Sequence, residues 1–190
     1  MRTICKEIFK FEELTESAQQ TAIKKLWDIN IHHDWHKFVI DDAKEVGKIL
    51  GIKISRVYYS GFWSQGDGAC FEGHFQYSAN MAKLIQQYAP LDTELHAIAR
   101  GLQAVYRRNF YRAYGSVKQR GHYMHSHCTT FSISDATEEQ EDDLIELYRD
   151  FMNWIYSRLE KEYEYQISDE SVRETIIANE YEFDEHGNLA

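Results

Sequence analysis

Tyr58-Tyr-Ser-Gly-Phe-Trp-Ser-Gln-Gly-Asp-Gly-Ala-Cys-Phe-Glu-Gly-His-Phe-Gln-Tyr77 decides the fold class. Its second half alternates, with Phe71, Gly73, Phe75 and Tyr77 on one side and Cys70, Glu72, His74 and Gln76 on the other. A period of two marks a half-buried strand. Before it, Ile52 to Tyr59 is rich in β-branched and aromatic residues and reads as a second strand. Four of the chain's ten glycines, Gly61, Gly66, Gly68 and Gly73, fall in this stretch, so the residues between the two strands read as a shaped loop.

Outward from this hairpin the pattern turns helical. Thr15 or Ser17 caps a helix over about 16–30, with Ala18, Ala22, Leu26 and Ile29 at helical spacing. A second helix carries Trp35, Val39, Ala43, Val46 and Leu50 inward and stops at Gly51, pairing with the first as a hairpin. Residues 79–88 and about 92–112 form two more helices, separated by Pro90. Residues 113–134 read as one or two strands with bends at Gly115 and Gly121. Thr137 and Gln140 have capping-box spacing at the head of a long helix, whose stripe is Leu144, Tyr148, Phe151, Ile155 and Leu159. Ser168 caps a last helix to about Asn179, and a strand and turn follow from Tyr181. Thr3 to Phe11 adds an edge strand. Hairpins interleaved with helix pairs, without strict βαβ alternation, predict an α+β fold: an antiparallel sheet covered by amphipathic helices. No linker or repeat divides residues 1–190, so one domain is expected.

Composition narrows the function classes. At 43% hydrophobic and 14% aromatic the chain can bury a core, and no run reaches the ~20 apolar residues of a membrane span. The opening residues lack a secretory signal, so a cytoplasmic location is expected. Cys5, Cys70 and Cys128 are scattered and suggest neither a disulfide framework nor a zinc ribbon. The net charge of −10 is uneven: residues 1–134 hold 17 cations against 13 acids, and residues 135–190 hold 4 against 18. Such a surplus is either a solvated helix face or a contact surface for a basic partner.

Three groups of residues are candidates for chemistry. In the loop, Ser64, Gln65, Gly66, Asp67 and Gly68 could bind polar groups of a small ligand or nucleotide, with His125 or His127 nearby. The structural alternative is a wide connection pinned by Asp67, with Phe62 and Trp63 as anchors. No lysine of a phosphate-binding loop is present, and one Asp falls short of a calcium loop. Placed on a strand, His125 and His127 share a face, but two ligands are too few for a structural metal site, and no metal or cofactor is assigned. His127-Cys-Thr129 lacks the second His-x-Ser/Thr of a two-histidine phosphodiesterase, and nothing local activates Cys70, Cys128 or Ser64 as a nucleophile. Finally, the run from Arg100 to Tyr123 interleaves arginines and aromatics, among them Arg107, Arg108, Arg112, Tyr114, Lys118 and Arg120. It could pair phosphates and stack bases, or dock on the acidic helix; the overall negative charge argues against direct nucleic-acid binding.

The run Tyr59-Ser-Gly-Phe-Trp-Ser-Gln-Gly-Asp-Gly-Ala-Cys-Phe-Glu-Gly73 resembles the hallmark of a family of small bacteriophage proteins, many labelled "antitoxin of toxin-antitoxin stability system". The ending from Ser168 to Asp184 is similar to that of the same group. The resemblance implies a stoichiometric protein-binding inhibitor, antitoxin-like or anti-CRISPR-like, of a host defence or toxin component. On that reading Glu138, Glu139, Glu141, Asp142, Asp143 and Glu146 mimic nucleic-acid phosphates toward a partner with a basic surface, helped by Phe62 and Trp63.

Overall fold

The computed structural model describes residues 7–190. Cys5 and the start of the expected first strand lie outside the described residues. The chain is α+β and gathers into two compact units, one of residues up to 36 with 161–190, the other of residues 37–160.

In the first unit, β1 (Phe9–Lys10) pairs antiparallel with β6 (Glu182–Phe183). Here α1 (Glu16–Lys25) and α6 (Asp169–Ala178) close on a core of Phe11, Leu14, Ala22, Ile23, Val172, Ile176 and Phe183. Both expected caps form: Thr15 accepts from Ala18 N–H at 3.3 Å and Ser168 from Ser171 N–H at 3.2 Å. The first helix stops at Lys25, short of the expected residue 30. The reason is Asn30, whose amide donates to Gln166 O and Ser171 Oγ, both at 3.0 Å, and accepts from Thr175 Oγ1 at 2.7 Å. Trp35 is likewise no part of the second helix; its ring meets that of Tyr163 edge to face at 5.6 Å.

The second unit holds α2 (Lys37–Ile49) and a four-stranded antiparallel sheet in the order β2 (Ile52–Tyr59), β3 (Ala69–Gln76), β4 (Tyr114–Gln119), β5 (Thr129–Ser134). The expected pair α1 and α2 is thus divided between the units. Between β3 and β4 come α3 (Met81–Tyr88) and α4 (Thr93–Arg108). After β5 runs α5 (Glu138–Gln166), whose last residues count with the first unit. Its capping box is present: Thr137 N–H donates to Gln140 Oε1 at 3.1 Å and Gln140 N–H to Thr137 Oγ1 at 3.4 Å.

One face of the sheet makes the core. Phe71 meets Phe151 at 5.8 Å, Phe75 meets Tyr148 at 4.4 Å, and Phe131 stacks on Tyr148 at 6.1 Å. The buried Tyr148 hydroxyl pairs with that of Tyr106 on α4 at 2.8 Å, and burial holds both phenols above their ordinary range. Asp92 ties α4 to α5: it caps Leu95 N–H at 2.9 Å, accepts from the Trp154 indole at 2.8 Å and pairs with Arg158. Burial alone would raise its pKa, but these three partners outweigh burial and hold it below the usual carboxylate range.

Helix α4 ends four residues before the expected boundary. Phe110 and Tyr111 turn into the left-handed region, at φ 52° and 62°, and Tyr111 N–H returns to Tyr106 O at 2.7 Å. Buried Asn109 holds the turn by accepting from Arg112 N–H at 2.9 Å and donating to Asp135 O and Gln140 Oε1.

The tightest packing in the sheet is at Gly115, where an added Cβ would lie 2.3 Å from Ser132 O and 2.7 Å from the Phe75 ring. Gly115→Ala is expected to cost about 1–3 kcal/mol in urea unfolding, the range for overpacking. A change within error of zero would show that the Phe75 ring does not fill that space.

Candidate functional site

Because neighbouring strands are antiparallel, the β2–β3 loop (60–68) and the β4–β5 loop (120–128) emerge at the same end of the sheet. The sequence-predicted ligand residues therefore come together. Added Cβ atoms at Gly66 and Gly68 would sit 3.4 Å from the Tyr123 ring and 3.0 Å from His125 Cα. Gly66 also needs its glycine, at φ 95°.

Within that pairing Asp67 is already engaged. Its carboxylate accepts from Trp63 N–H at 3.0 Å and Ser64 N–H at 2.7 Å, while Asp67 N–H donates to Ser64 O at 3.1 Å. Ser60 N–H to Gly68 O, at 3.0 Å, closes the base of the loop. Phe62 is stacked between Tyr59 and Tyr156, at 6.4 and 5.5 Å, and the Tyr156 hydroxyl donates to Gly61 O at 3.1 Å. Burial, with the charges of Glu160 and Asp67, raises the Tyr156 pKa. Phe62 is thus an anchor onto α5, whereas Trp63 is 73% exposed and Ser64 and Gln65 are exposed beside it.

The histidines do not lie on a strand as expected. Residues 120–128 form a loop, and Cys128 N–H turns back to His125 O at 2.8 Å. The rings of His125 and His127 stack at 5.2 Å, and His125 Nδ1 accepts the His127 N–H at 3.2 Å, which occupies one of the nitrogens a metal would use. No group of three His, Cys, Asp or Glu side chains that could hold a metal occurs among the described residues. Beside them Ser126 Oγ is buried with no hydrogen-bond partner. Burial, then Cys128 and Glu72, pushes the Cys70 thiol up to about 12, so it stays protonated at neutral pH.

The acidic residues start α5 at the opposite end of the sheet from the loops. Glu138, Glu139, Asp142 and Glu146 are exposed; Glu141 and Asp143 are half-buried. Asp143 and Glu139 pair with Arg108, as the docking alternative for the arginines expects, and Glu146 pairs with Arg149 at 2.8 Å. Sequence reasoning missed Asp150, one turn beyond Glu146 on the same stripe and also exposed. Burial, then the Glu146 charge, raises its pKa. The signal was its i+4 spacing from Glu146. Tyr156, which holds the loop, follows Glu146 by ten residues, about 15 Å of helix. The structure therefore does not join the acids with Phe62 and Trp63 in one patch.

With Asp67 in this role, Asp67→Ala is expected to speed amide exchange at Trp63 and Ser64 at least about tenfold, the loss of one or two hydrogen bonds. Unchanged exchange at both amides would remove the pinning role from Asp67.

A family model described as Domain of unknown function (DUF8835) matches residues 35–169, from just before α2 to the start of α6. No curated protein and no solved structure matches the chain.

Proposed function

The chain belongs to the DUF8835 family, a membership that brings no activity with it, and we propose that it is a phage-encoded stoichiometric inhibitor that binds a host defence or toxin protein. The contact surface is the exposed acidic stripe of α5, and the partner presents a basic nucleic-acid-binding surface. The supporting observation is the stripe itself. Glu139, Asp142, Glu146 and Asp150 follow one another at intervals of three or four residues on an exposed helix face. At the helical rise this is one carboxylate per about 4.5–6 Å, within a factor of two of the ~3.4 Å between phosphates along one strand. Glu138 and Asp142 make no ion pair within 4 Å among the described residues, and so remain available to cations of a partner. The resemblance of residues 59–73 to the phage antitoxin-labelled proteins supplies the class of partner.

The alternative, a small-ligand or nucleotide site on Ser64–Gly68, is weaker. Its one carboxylate, Asp67, is spent on the loop's own amides.

The triple change Glu138→Lys, Asp142→Lys, Glu146→Lys spares the residues that bind Arg108. The wild-type chain, immobilised, is expected to retain from host lysate a defence or toxin protein that elutes as salt rises, with mass spectrometry as the readout. The triple variant is expected to retain at least about tenfold less, since close charge pairs at interfaces couple strongly. Identical retained proteins from both would sink the proposal.

Asp150 offers a pH test. Its raised pKa means the folded state disfavours the ionised form, so its contribution to stability worsens as pH rises through its titration. Asp150→Asn is expected to melt slightly higher than wild type at neutral pH. That gain should fade as pH falls through and below the ordinary carboxylate range, where the carboxyl is protonated in the folded and the unfolded chain alike. A constant difference across that range would contradict the assignment.

A further inference from the structure

The strand registers place one side chain in two on the face of the sheet turned away from α5. Across the strands, Lys53 is opposite His74, His74 opposite Ser116, and Ser116 opposite Ser132. The neighbouring rows add Arg56 opposite Glu72, Lys118 opposite Thr130, and Gln76, Tyr114 and Ser134 in line. The Arg56 guanidinium lies over the Tyr58 ring at 4.7 Å, and Tyr58 OH donates to Glu72 at 3.0 Å, which confirms that these three share the face.

Among the described residues most of this face is open: Lys53, Arg56, His74, Gln76, Lys118, Thr130, Ser132 and Ser134 are exposed and Tyr114 is 52% exposed, although Cys70, at the loop end of the same face, is buried. Arg120, two residues beyond Lys118 and also exposed, continues β4 with its N–H on Cys128 O at 2.8 Å. The only acid among them, Glu72, is engaged, accepting from Tyr58 OH and from Gln119 N–H at 3.2 Å. Lys53, Arg56, Lys118 and Arg120 form no ion pair within 4 Å among the described residues.

In a chain of net charge −10, an open sheet face with four cations that no carboxylate pairs and one occupied carboxylate needs an account. Protection of an edge strand by Lys and Arg covers β2 but not Lys118, because β4 is flanked on both sides by other strands. Four strands span about 14 Å, enough for a few nucleotides laid across them. The cations supply phosphate contacts, and Tyr114 and His74 supply flat rings on which bases stack.

We propose that the open face of the β2–β3–β4–β5 sheet binds single-stranded nucleic acid, with Lys53, Arg56, Lys118 and Arg120 on phosphates and Tyr114 and His74 against bases. This goes beyond the inhibitor reading and does not depend on it, since the acidic stripe of α5 and this face share no residue.

The test is fluorescence anisotropy of the full chain with labelled oligo-uridine and oligo-thymidine of about 16 nucleotides. A duplex of equal length and a poly-glutamate peptide serve as competitors. The wild type is expected to bind at about 50 mM salt, with affinity falling linearly on a log–log plot. The triple variant Lys53→Gln, Lys118→Gln, Arg120→Gln is expected to bind at least about tenfold more weakly. Its salt slope should be smaller by about 2, at ~0.7 per lost phosphate contact. Tyr114→Ala is expected to lose about tenfold with the slope unchanged, which loss of charge could not produce. Thermal melts establish that each variant is folded. Three results would each overturn the proposal: no binding by the wild type, unaltered affinity in the folded triple variant, or displacement by poly-glutamate or duplex at lower concentration than by the unlabelled single strand.

Discussion

The packing of the aromatic stripe of α5 on one face of the sheet is the constraint on which the second unit depends. Phe151 and Tyr148 need Phe71, Phe75 and Phe131 as their floor, and Phe75 can lie flat across β4 only because Gly115 has no side chain. With the core committed to that face, the other face buries little apolar surface beyond Cys70 at its loop end. It carries Lys, Arg, His, Gln, Ser and Thr, as a solvated face must. The two faces of one sheet thereby acquire separate tasks.

Polar ties fix where the helices begin and end around this core. Asp92 serves as cap, indole acceptor and ion-pair partner at once, and joins the head of α4 to residues 154 and 158 of α5. Asn109 does the same at the other end of α4, where it holds Phe110 and Tyr111 in a left-handed turn that neither side chain favours. Tyr106 and Tyr148 satisfy each other's hydroxyl in the middle. A buried polar group left alone costs more than one that is paired, so these contacts restrict α4 to one register against α5.

What could be read from the sequence was what is encoded within a few residues. The caps at Thr15 and Ser168 and the box of Thr137 with Gln140 are local, as is the alternation through Phe71, Gly73 and Phe75, and all were legible. The hidden features depend on distant partners. Nothing near Leu26 announces that Asn30 will be claimed by Gln166, Ser171 and Thr175, so the first helix looked longer. His125 and His127 have strand spacing, yet the return of Cys128 N–H to His125 O makes a loop. Of the candidate site, the role of Asp67 as a pin for its own loop was foreseeable. The meeting of Gly66 and Gly68 with Tyr123 and His125 required the strand order, which no local pattern specifies.

The strand order also changes what the charge of the chain means. The total of −10 would govern a uniformly charged sphere, but at physiological salt a field decays within about 8 Å, so a ligand on one face responds to that face. The carboxylates of α5 stand on the helix surface that points away from the sheet, since Leu144, Tyr148, Phe151 and Ile155 occupy the surface that points toward it. Lys53, Arg56 and Lys118 stand on the opposite side of the sheet. Between the two sets lies a packed aromatic layer without free ions, so neither neutralises the other through a direct contact. The exception is Arg108, which is spent on Asp143 and Glu139 at the head of α5 and is lost to any ligand of the basic run in which it sits. Arg108, one of the arginines that the sequence offered for phosphate, is therefore structural, and the cations of the open sheet face come from β2 and β4, strands far apart in the chain.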